Sequence, residues 1–331
     1  MSDPAPLRIG ILGAARIAPM ALVRPARAVP GVTLLAVAAR DPEKARAFAR
    51  KHGIPRVHPS YDALLCDPEI DAVYNPLPNS LHCEWSIRAL RAGKHVLCEK
   101  PMAANAAEAE RMAQAAADAG RLLVEAFHYR YHPLAARLRE LIESGALGRV
   151  QHLEAHMCVP FAIPGDIRYR FELAGGANMD VGCYVINLLR FLAAAEPEVT
   201  RAEARLSSPQ VDRYMAAEFR FADGRTARMT CALFSASLLR MSARVKGERG
   251  ELRVFNPIAP HFFHRLKVIG PEGSRVERVR GDSTYTYQLR AFLRAVRDGK
   301  PMPTDATDAI ANMRVIDAVY EKAGLRPRGL R

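Results

Sequence analysis

No run in this chain approaches the ~18 consecutive apolar residues of a membrane span. The opening "MSDPAPLRIGILG" lacks the basic start and apolar core of a signal peptide and passes straight into a strand-like run. The six cysteines, Cys66, Cys83, Cys98, Cys158, Cys183 and Cys231, include no C-x-x-C pair. Scattered singly, they read as reduced thiols in a cytoplasmic protein. His52 and His58, His128 and His132, and His261 and His264 are local pairs without a third ligand nearby in sequence, which argues against a metal site. Acidic residues are in deficit: the formal net charge is +13. That excess raises nucleic acid as a partner, but the arginines are spread along the chain, with no long basic block and few interleaved aromatics. The charge therefore reads as a solvated surface with a modest attraction for anionic ligands, phosphorylated cofactors among them, and not as a nucleic-acid interface.

What is present is enough for two domains. The 331 residues can bury two sizeable cores, and internal repeats and low-complexity tracts are missing. Through residue 127 the pattern alternates. The apolar runs "RIGILG", "VTLLAVAAR", "IDAVYN", "HVLCEK" and "RLLVEAF", with a short piece at "RVH", are separated by "DPEKARAFARKHG", "NSLHCEWSIRALRAG" and "NAAEAERMAQAAADAG". Each of these three helical stretches ends in glycine, a helix stop signal. Apolar strands alternating with helices predict a doubly wound parallel sheet, a Rossmann-type nucleotide-binding domain over residues 1–127. From residue 128 onward the pattern changes. A helix over "HPLAARLRELIESG" puts Leu134, Leu138, Leu141 and Ile142 on one face. Longer alternating runs follow, with Asp223-Gly224 at a hairpin turn, and two helices near 284–298 and 305–322 close the chain. Residues 128–331 are thus expected to form an α+β domain, an open and mostly antiparallel sheet with helices on one side. Apolar residues on both alternating faces of several strands, such as Ala217, Phe219 and Phe221 with Met215, suggest a homodimer or homotetramer built on the face of this sheet away from its helices.

The first strand runs into Gly13-Ala14-Ala15-Arg16-Ile17-Ala18, where a full fingerprint would read G-x-G-x-x-G. Two glycines are replaced by alanine, but strand, tight glycine and helix follow in the order a pyrophosphate site requires. Pro25 should end or kink the helix that follows. The second strand ends in Arg40 and Asp41. Asp41 begins "DPEK", a natural helix cap, so Arg40 is left to meet a ribose 2′-phosphate, which favours NADP over NAD. In "VLCEKPM", Lys100 closes a parallel strand at its ligand-binding edge, and Lys100-Pro101 is a candidate cis bond. In "GGANMDVGCYVIN" (175–187), Asp180 and Tyr184 lie four apart, a spacing that places both on one face of a helix.

"GILGAARIA", "VYNPLPNSLH", "VLCEKPM" and "GGANMDVGCY" occur in this order, and together they resemble the Gfo/Idh/MocA, or glucose–fructose oxidoreductase, family over essentially the whole chain. "VAARD", "VLCEKPM" and the tyrosine of the last motif point to the branch with dimeric dihydrodiol dehydrogenase and NADP-dependent xylose dehydrogenases. The resemblance implies that Gly13, Ala15 and Ala18, with Arg16 and Ile17 between them, form the phosphate loop, and that Arg40 meets the adenosine ribose. It implies that Asn75, Pro76, Pro78, Asn79 and His82 pass along the nicotinamide half, and that Glu99 and Lys100 supply cofactor and catalytic contacts. Asp180 matches the substrate-orienting acid, and Tyr184 stands where many members carry histidine. His128 stands where relatives often have methionine, and Asn178 where they have small or apolar residues; both are candidates for substrate contact or for a local packing change.

These residues suit hydride transfer to or from a carbinol carbon, which needs matched proton transfer at its oxygen. Tyr184 would exchange the proton, Lys100 would tune the phenol, and Asp180 would hold a neighbouring hydroxyl. Gly175, Gly176 and Gly182 fit a close approach of backbone to the cofactor or to another element. The implied enzyme is an NAD(P)-dependent oxidoreductase acting on a sugar, polyol, keto sugar or cyclic diol. A reductase of a non-sugar ketone, imine or tetrapyrrole, and a non-catalytic NADP-binding regulator, stay open as alternatives.

Overall fold

The computed structural model describes residues 5–161, 163, 165–237 and 239–329. They divide into two compact units, and the chain passes between them more than once. The first unit holds six parallel strands: β1 (Leu7–Leu12), β2 (Val32–Ala38), β3 (Arg56–His58), β4 (Ala72–Asn75), β5 (His95–Cys98) and β6 (Leu123–Glu125). Their order is β3-β2-β1-β4-β5-β6, the doubly wound arrangement with its reversal between β1 and β4. β4 is buried at all four positions, because helices cover both faces of the sheet, and such a strand reads as a continuous apolar run rather than an alternation.

The helices begin and end where their caps dictate. The Asp41 carboxylate accepts from the Glu43 and Lys44 amides at 3.0 and 3.2 Å and starts α2 (Pro42–His52), which ends on Gly53 at φ 71°. Pro25 neither ends nor kinks a helix in its interior. Pro19–Val23 form a π-helical turn, closed by the Arg24 N–H on Pro19 O, and Pro25 falls in the first turn of α1 (Arg24–Ala28), where its missing N–H is harmless.

Residues 285–309, which the sequence reading groups with the second domain, belong to the first unit. The Glu125 amide donates to Thr304 O at 2.9 Å, the Thr304 hydroxyl donates to Glu125 O at 2.7 Å, and Arg297 donates to Ala5 O at 2.9 Å. Strand β6 thus gains a partner 179 residues on, and the chain start one 292 residues on.

The second unit is built on an eight-stranded sheet. Its strands are β7 (Val150–Cys158), β8 (Glu198–Ser208), β9 (Val211–Arg220), β10 (Thr226–Ala232), β11 (Arg240–Gly247), β12 (Glu251–Phe255), β13 (Arg265–Gly270) and β14 (Gly273–Glu277), in the order β14-β13-β12-β11-β7-β10-β9-β8. Among the described residues, only the β7–β10 pair is parallel. The Asp223-Gly224 hairpin is where the sequence puts it, with Gly224 at φ 85°.

The apolar face of this sheet is already covered. Met215, Ala217, Phe219 and Phe221 are each no more than 2% exposed; they face inward with Met229 and Cys231, on the side where a nearly fully buried helix (Cys183–Ala193) packs. Burying each large side chain there contributes roughly 1.5–3 kcal/mol. The open face instead presents Glu218, Arg220 and Arg228. Those four residues therefore lie on the covered face and neither support nor exclude a second copy against the open one.

Candidate active site

In the first unit the predicted residues gather at the carboxyl ends of the strands. The Gly13 amide donates to Ala38 O at 2.6 Å, tying the turn after β1 to β2. Gly13 sits at φ 90°, a backbone conformation that favours glycine, and a Cβ there would stand 3.1 Å from Leu77 Cδ2 and require that methyl to give way. Ala15, Arg16, Ile17 and Ala18 continue the turn, the Ala18 amide donating to Ala15 O at 3.1 Å. The π turn that follows has no side-chain cap and no acidic residue in its first turn. Pro19 has no amide hydrogen and the Met20 and Ala21 amides donate to Ile17 O at 3.0 and 2.9 Å, so a pyrophosphate would be met by the small-residue turn that precedes it. The Arg40 guanidinium is solvent-exposed, as a 2′-phosphate contact requires, and its amide donates to the Tyr61 hydroxyl. Tyr61, absent from the sequence reading, links Arg40 to the Gly13 turn. Burial pushes its phenol above the ordinary value.

After β4 the Asn75 side chain is fully buried and holds the turn itself. Its amide donates to the Ser86 hydroxyl at 3.0 Å and to His82 O at 3.3 Å, and its oxygen accepts from the Leu77 amide at 3.3 Å. Pro76 is buried, while Pro78 and Asn79 are half-buried at the start of the helix over Asn79–Arg91. His82 has each ring nitrogen near a carbonyl, Pro101 O at 2.8 Å and Leu77 O at 2.7 Å, and burial drives its pKa down to about 4. It thereby ties the β4 turn to the turn after β5, where Lys100-Pro101 is cis. Glu99 accepts from the Tyr74 hydroxyl at 2.7 Å, and its amide donates to Asn75 O at 3.0 Å. Glu99 and Lys100 are half-buried. His128 is buried with its ring 4.0 Å from that of Tyr285.

In the second unit, the four-residue spacing of Asp180 and Tyr184 does not lie on a regular α-helix. Asn178–Gly182 form a π-helical turn and Tyr184 opens the following α-helix. Short π segments inside helices are frequent at functional sites. The Asp180 carboxylate accepts from Arg168 Nε at 2.9 Å, and Arg168 is held in turn by Asp166 at 2.9 Å, with its guanidinium over the Phe161 ring. Tyr184 is 6% exposed, with its ring centroid 6.4 Å from that of Tyr129, whose hydroxyl donates to Asn187 at 2.6 Å.

The glycines here face other protein elements. A Cβ on Gly176, which sits at φ 133°, would fall 2.1 Å from Asp212 Oδ1; one on Gly182 would fall 2.5 Å from Asn178 Oδ1 and 3.0 Å from Cys231 Sγ. Asp212 is fully buried and accepts from the Asn178 amide at 2.7 Å and from the Tyr320 hydroxyl and Arg328 at 2.9 Å each. Arg328, also fully buried, donates onward to Gly175 O at 2.8 Å. Burial pushes the Asp212 carboxyl up, against the pull of Arg328. Asn178 is buried, its amide group donating to Ile316 O at 3.3 Å, so it packs the turn. Arg168, Asp212 and Arg328 were missed because nothing in their local sequence marks them; Arg168 reaches an acid twelve residues on, and Asp212 and Arg328 act on a segment distant from their own.

Lys100 belongs to the first unit, and Asp180 and Tyr184 to the second. Among the described residues, no group of three His, Cys, Asp or Glu could hold a metal ion, and no helix is long and apolar enough to cross a membrane.

Comparison with known proteins matches residues 7–127 to an oxidoreductase family with an NAD-binding Rossmann fold, the GFO/IDH/MocA family, and residues 135–253 to the C-terminal domain of the same family. The chain is 35% identical over 320 residues to a D-xylose 1-dehydrogenase (NADP(+)) of Haloferax volcanii, covering 96% of this chain and 97% of the relative. It is 35% identical over 331 residues to a dTDP-3,4-didehydro-2,6-dideoxy-alpha-D-glucose 3-reductase of Streptomyces violaceoruber, covering 96% of each. Among solved structures, the 3-ketoreductase KijD10 of Actinomadura kijaniata, in complex with NADP and TDP-benzene, superposes with a TM-score of 0.89 at 30% identity, covering 97% of this chain and 98% of the other.

Proposed function

The chain belongs to the Gfo/Idh/MocA oxidoreductase family, and from that footing we propose that it is an NADP-dependent oxidoreductase acting on a carbinol or carbonyl carbon of a sugar, keto sugar or cyclic diol. When bound, the nicotinamide supplies or accepts the hydride. Gly13, Ala15, Arg16, Ile17 and Ala18 hold the pyrophosphate and Arg40 meets the 2′-phosphate. The turns after β4 and β5, tied together through His82, carry Asn79, Glu99 and Lys100 along the nicotinamide half. NADP preference draws support from the exposed Arg40, from the use of Asp41 as a helix cap, and from the NADP named with two relatives.

Tyr184 exchanges the proton at the substrate oxygen. A phenol has a reference pKa of about 10, and an ammonium stabilises the phenolate; that is the role assigned to Lys100. Asp180, oriented by Arg168, accepts from a neighbouring hydroxyl. His128, packed against Tyr285, would bound the substrate pocket. The observation that supports this reading is the π turn: it holds Asp180 against Arg168, runs directly into the helix that carries Tyr184, and is fixed from behind by Asp212 and Arg328. The protein is read as cytoplasmic because all six cysteines are free thiols.

The test is NADPH oxidation against a panel of keto sugars and cyclic ketones, with NADP reduction against aldoses, polyols and trans-diols. Turnover on at least one, faster with NADP(H) than with NAD(H), is expected. Tight NADPH binding without turnover on any of them would overturn the substrate class and favour a non-sugar substrate or a regulatory role.

A further inference from the structure

We propose that Glu125 is a positioning residue for Lys100: its buried carboxylate holds the Met102 amide, and through it the turn from which Lys100 is presented. The inference rests on the role given to Lys100 above, and every group it uses lies in the first unit.

Glu125 ends β6 and is the one charged residue in the stretch "LLVEAF". It is fully buried, and so are Leu123, Val124, Ala126 and Phe127 around it. Removing a carboxylate from water is costly, and an apolar side chain of similar volume would fill such a place more cheaply. The acid therefore does something that packing alone would not need. Its contact shows what. Glu125 Oε1 accepts from the Met102 amide at 2.8 Å, a bond strengthened by the carboxylate charge.

Met102 closes the turn that begins at Glu99. The Met102 carbonyl accepts from the Cys98 thiol at 3.6 Å, Pro101 O lies 2.8 Å from His82 Nδ1, and the Glu99 amide donates to Asn75 O at 3.0 Å. Lys100 thus leaves a backbone fixed on both sides, and its charge is felt at His82, where it opposes proton uptake. Glu125 is anchored in turn. It stands opposite Cys98 in the β5–β6 pairing, its amide donates to Thr304 O at 2.9 Å, and its carbonyl accepts from the Thr304 hydroxyl at 2.7 Å. A strain on Met102 is therefore passed to a rigid base and resisted. Position matters because the pull of an ammonium on a phenolate falls with distance, and a misplacement of about 1 Å can cost a catalytic group on the order of 10² in rate.

The experiment sets Glu125→Gln against Glu125→Asp. The first keeps the length and a carbonyl oxygen for the Met102 amide but loses the charge. The second keeps the charge but is one methylene short of the same bond. Stopped-flow hydride transfer is followed with saturating NADP and the best alcohol of the panel above, from about pH 6 to pH 11. In the oxidising direction the rate rises as the phenol loses its proton, with a midpoint below about 10 while Lys100 stands beside it. Lys100→Met is the reference and should slow the step and move or abolish that rise. Glu125→Asp should slow the step roughly tenfold and move the midpoint up by about one pH unit, with NADPH affinity within about threefold of the wild type. Glu125→Gln should keep the midpoint and hold the rate within about threefold. If Lys100→Met alters neither rate nor midpoint, the reading of Lys100 fails and this inference with it. If Lys100→Met behaves as expected but Glu125→Asp keeps the wild-type midpoint, or Glu125→Gln moves it as far as Glu125→Asp does, the positioning role alone is overturned. Loss of NADPH binding and of thermal stability together in Glu125→Asp also overturns it, and leaves Glu125 a residue of the fold only.

Discussion

The two units hold their candidate site residues in different ways. In the first, each residue sits at or just beyond the end of its own strand, and the bonds that fix it come mostly from neighbouring turns, such as His82 on Leu77 O and Pro101 O. In the second, the segment carrying Asp180 and Tyr184 is held from far along the chain: the Asp212–Arg328 pair spans 116 residues and the Arg328–Gly175 bond 153. A local scaffold tolerates change beyond its motif. A clamp built from a buried ion pair does not, because removing either partner strands the other's charge in a medium that solvates it poorly.

Four experiments sharpen or break that contrast, in order of expected size. Tyr184→Phe removes one hydroxyl and little volume. Stopped-flow hydride transfer should slow by roughly 10²–10⁴, the scale of lost general acid–base catalysis, with NADPH affinity nearly unchanged. Retention of more than about a tenth of the rate would remove the tyrosine from the proton path and turn attention to His128.

Asp212→Asn leaves Arg328 charged and unpaired in the core. Urea unfolding should show a loss of about 3–5 kcal/mol. A loss within about 0.5 kcal/mol, the usual surface scale, would mean the clamp is not what holds the π turn.

Acid should act next. His82, His132 and His156 have folded-state values of about 4, pulled down first by burial. The unfolded chain takes up protons near the reference value of about 6.5. Stability is therefore undiminished above that pH and falls as pH drops toward 4. For fully buried His82 the loss is on the order of 3 kcal/mol. His82→Gln should flatten this slope in pH-resolved thermal melts; an unaltered slope would show that His82 does not stay neutral in the fold.

The smallest expected effect is at the first unit's rim. Arg40→Ala should raise the KM for NADPH about tenfold, the scale of one exposed charge-assisted contact, and leave NADH nearly unaffected. An unchanged ratio of the two cofactors would detach Arg40 from the 2′-phosphate.

Much of the first unit was legible because its signals are local. Apolar runs alternating with glycine-terminated helices specify a parallel sheet, Asp41 followed by Pro42 specifies a helix start, and Gly13 marks the tight turn. The candidate residues were also nameable from four short motifs. What stayed hidden depends on contacts with no local trace. Asp212 is one acid at the start of a strand, and Arg328 one arginine near the end of an Arg-rich chain.

Sequence alone, then, determined the two kinds of sheet, the helix caps, the tight glycine turn after β1 and the family, because each rests on a short stretch whose periodicity or backbone demand is its own. Tertiary structure decided the rest. A period of two shows that the faces of β9 differ, but only packing against the Cys183–Ala193 helix makes the Met215–Phe221 face the inner one. The return of residues 285–309 to the first unit, the π turn under Asp180 and the Asp212–Arg328 clamp were likewise decided there. Each depends on which distant groups a buried backbone or charge finds as partners, and the free energy of that pairing exists only once water has been excluded.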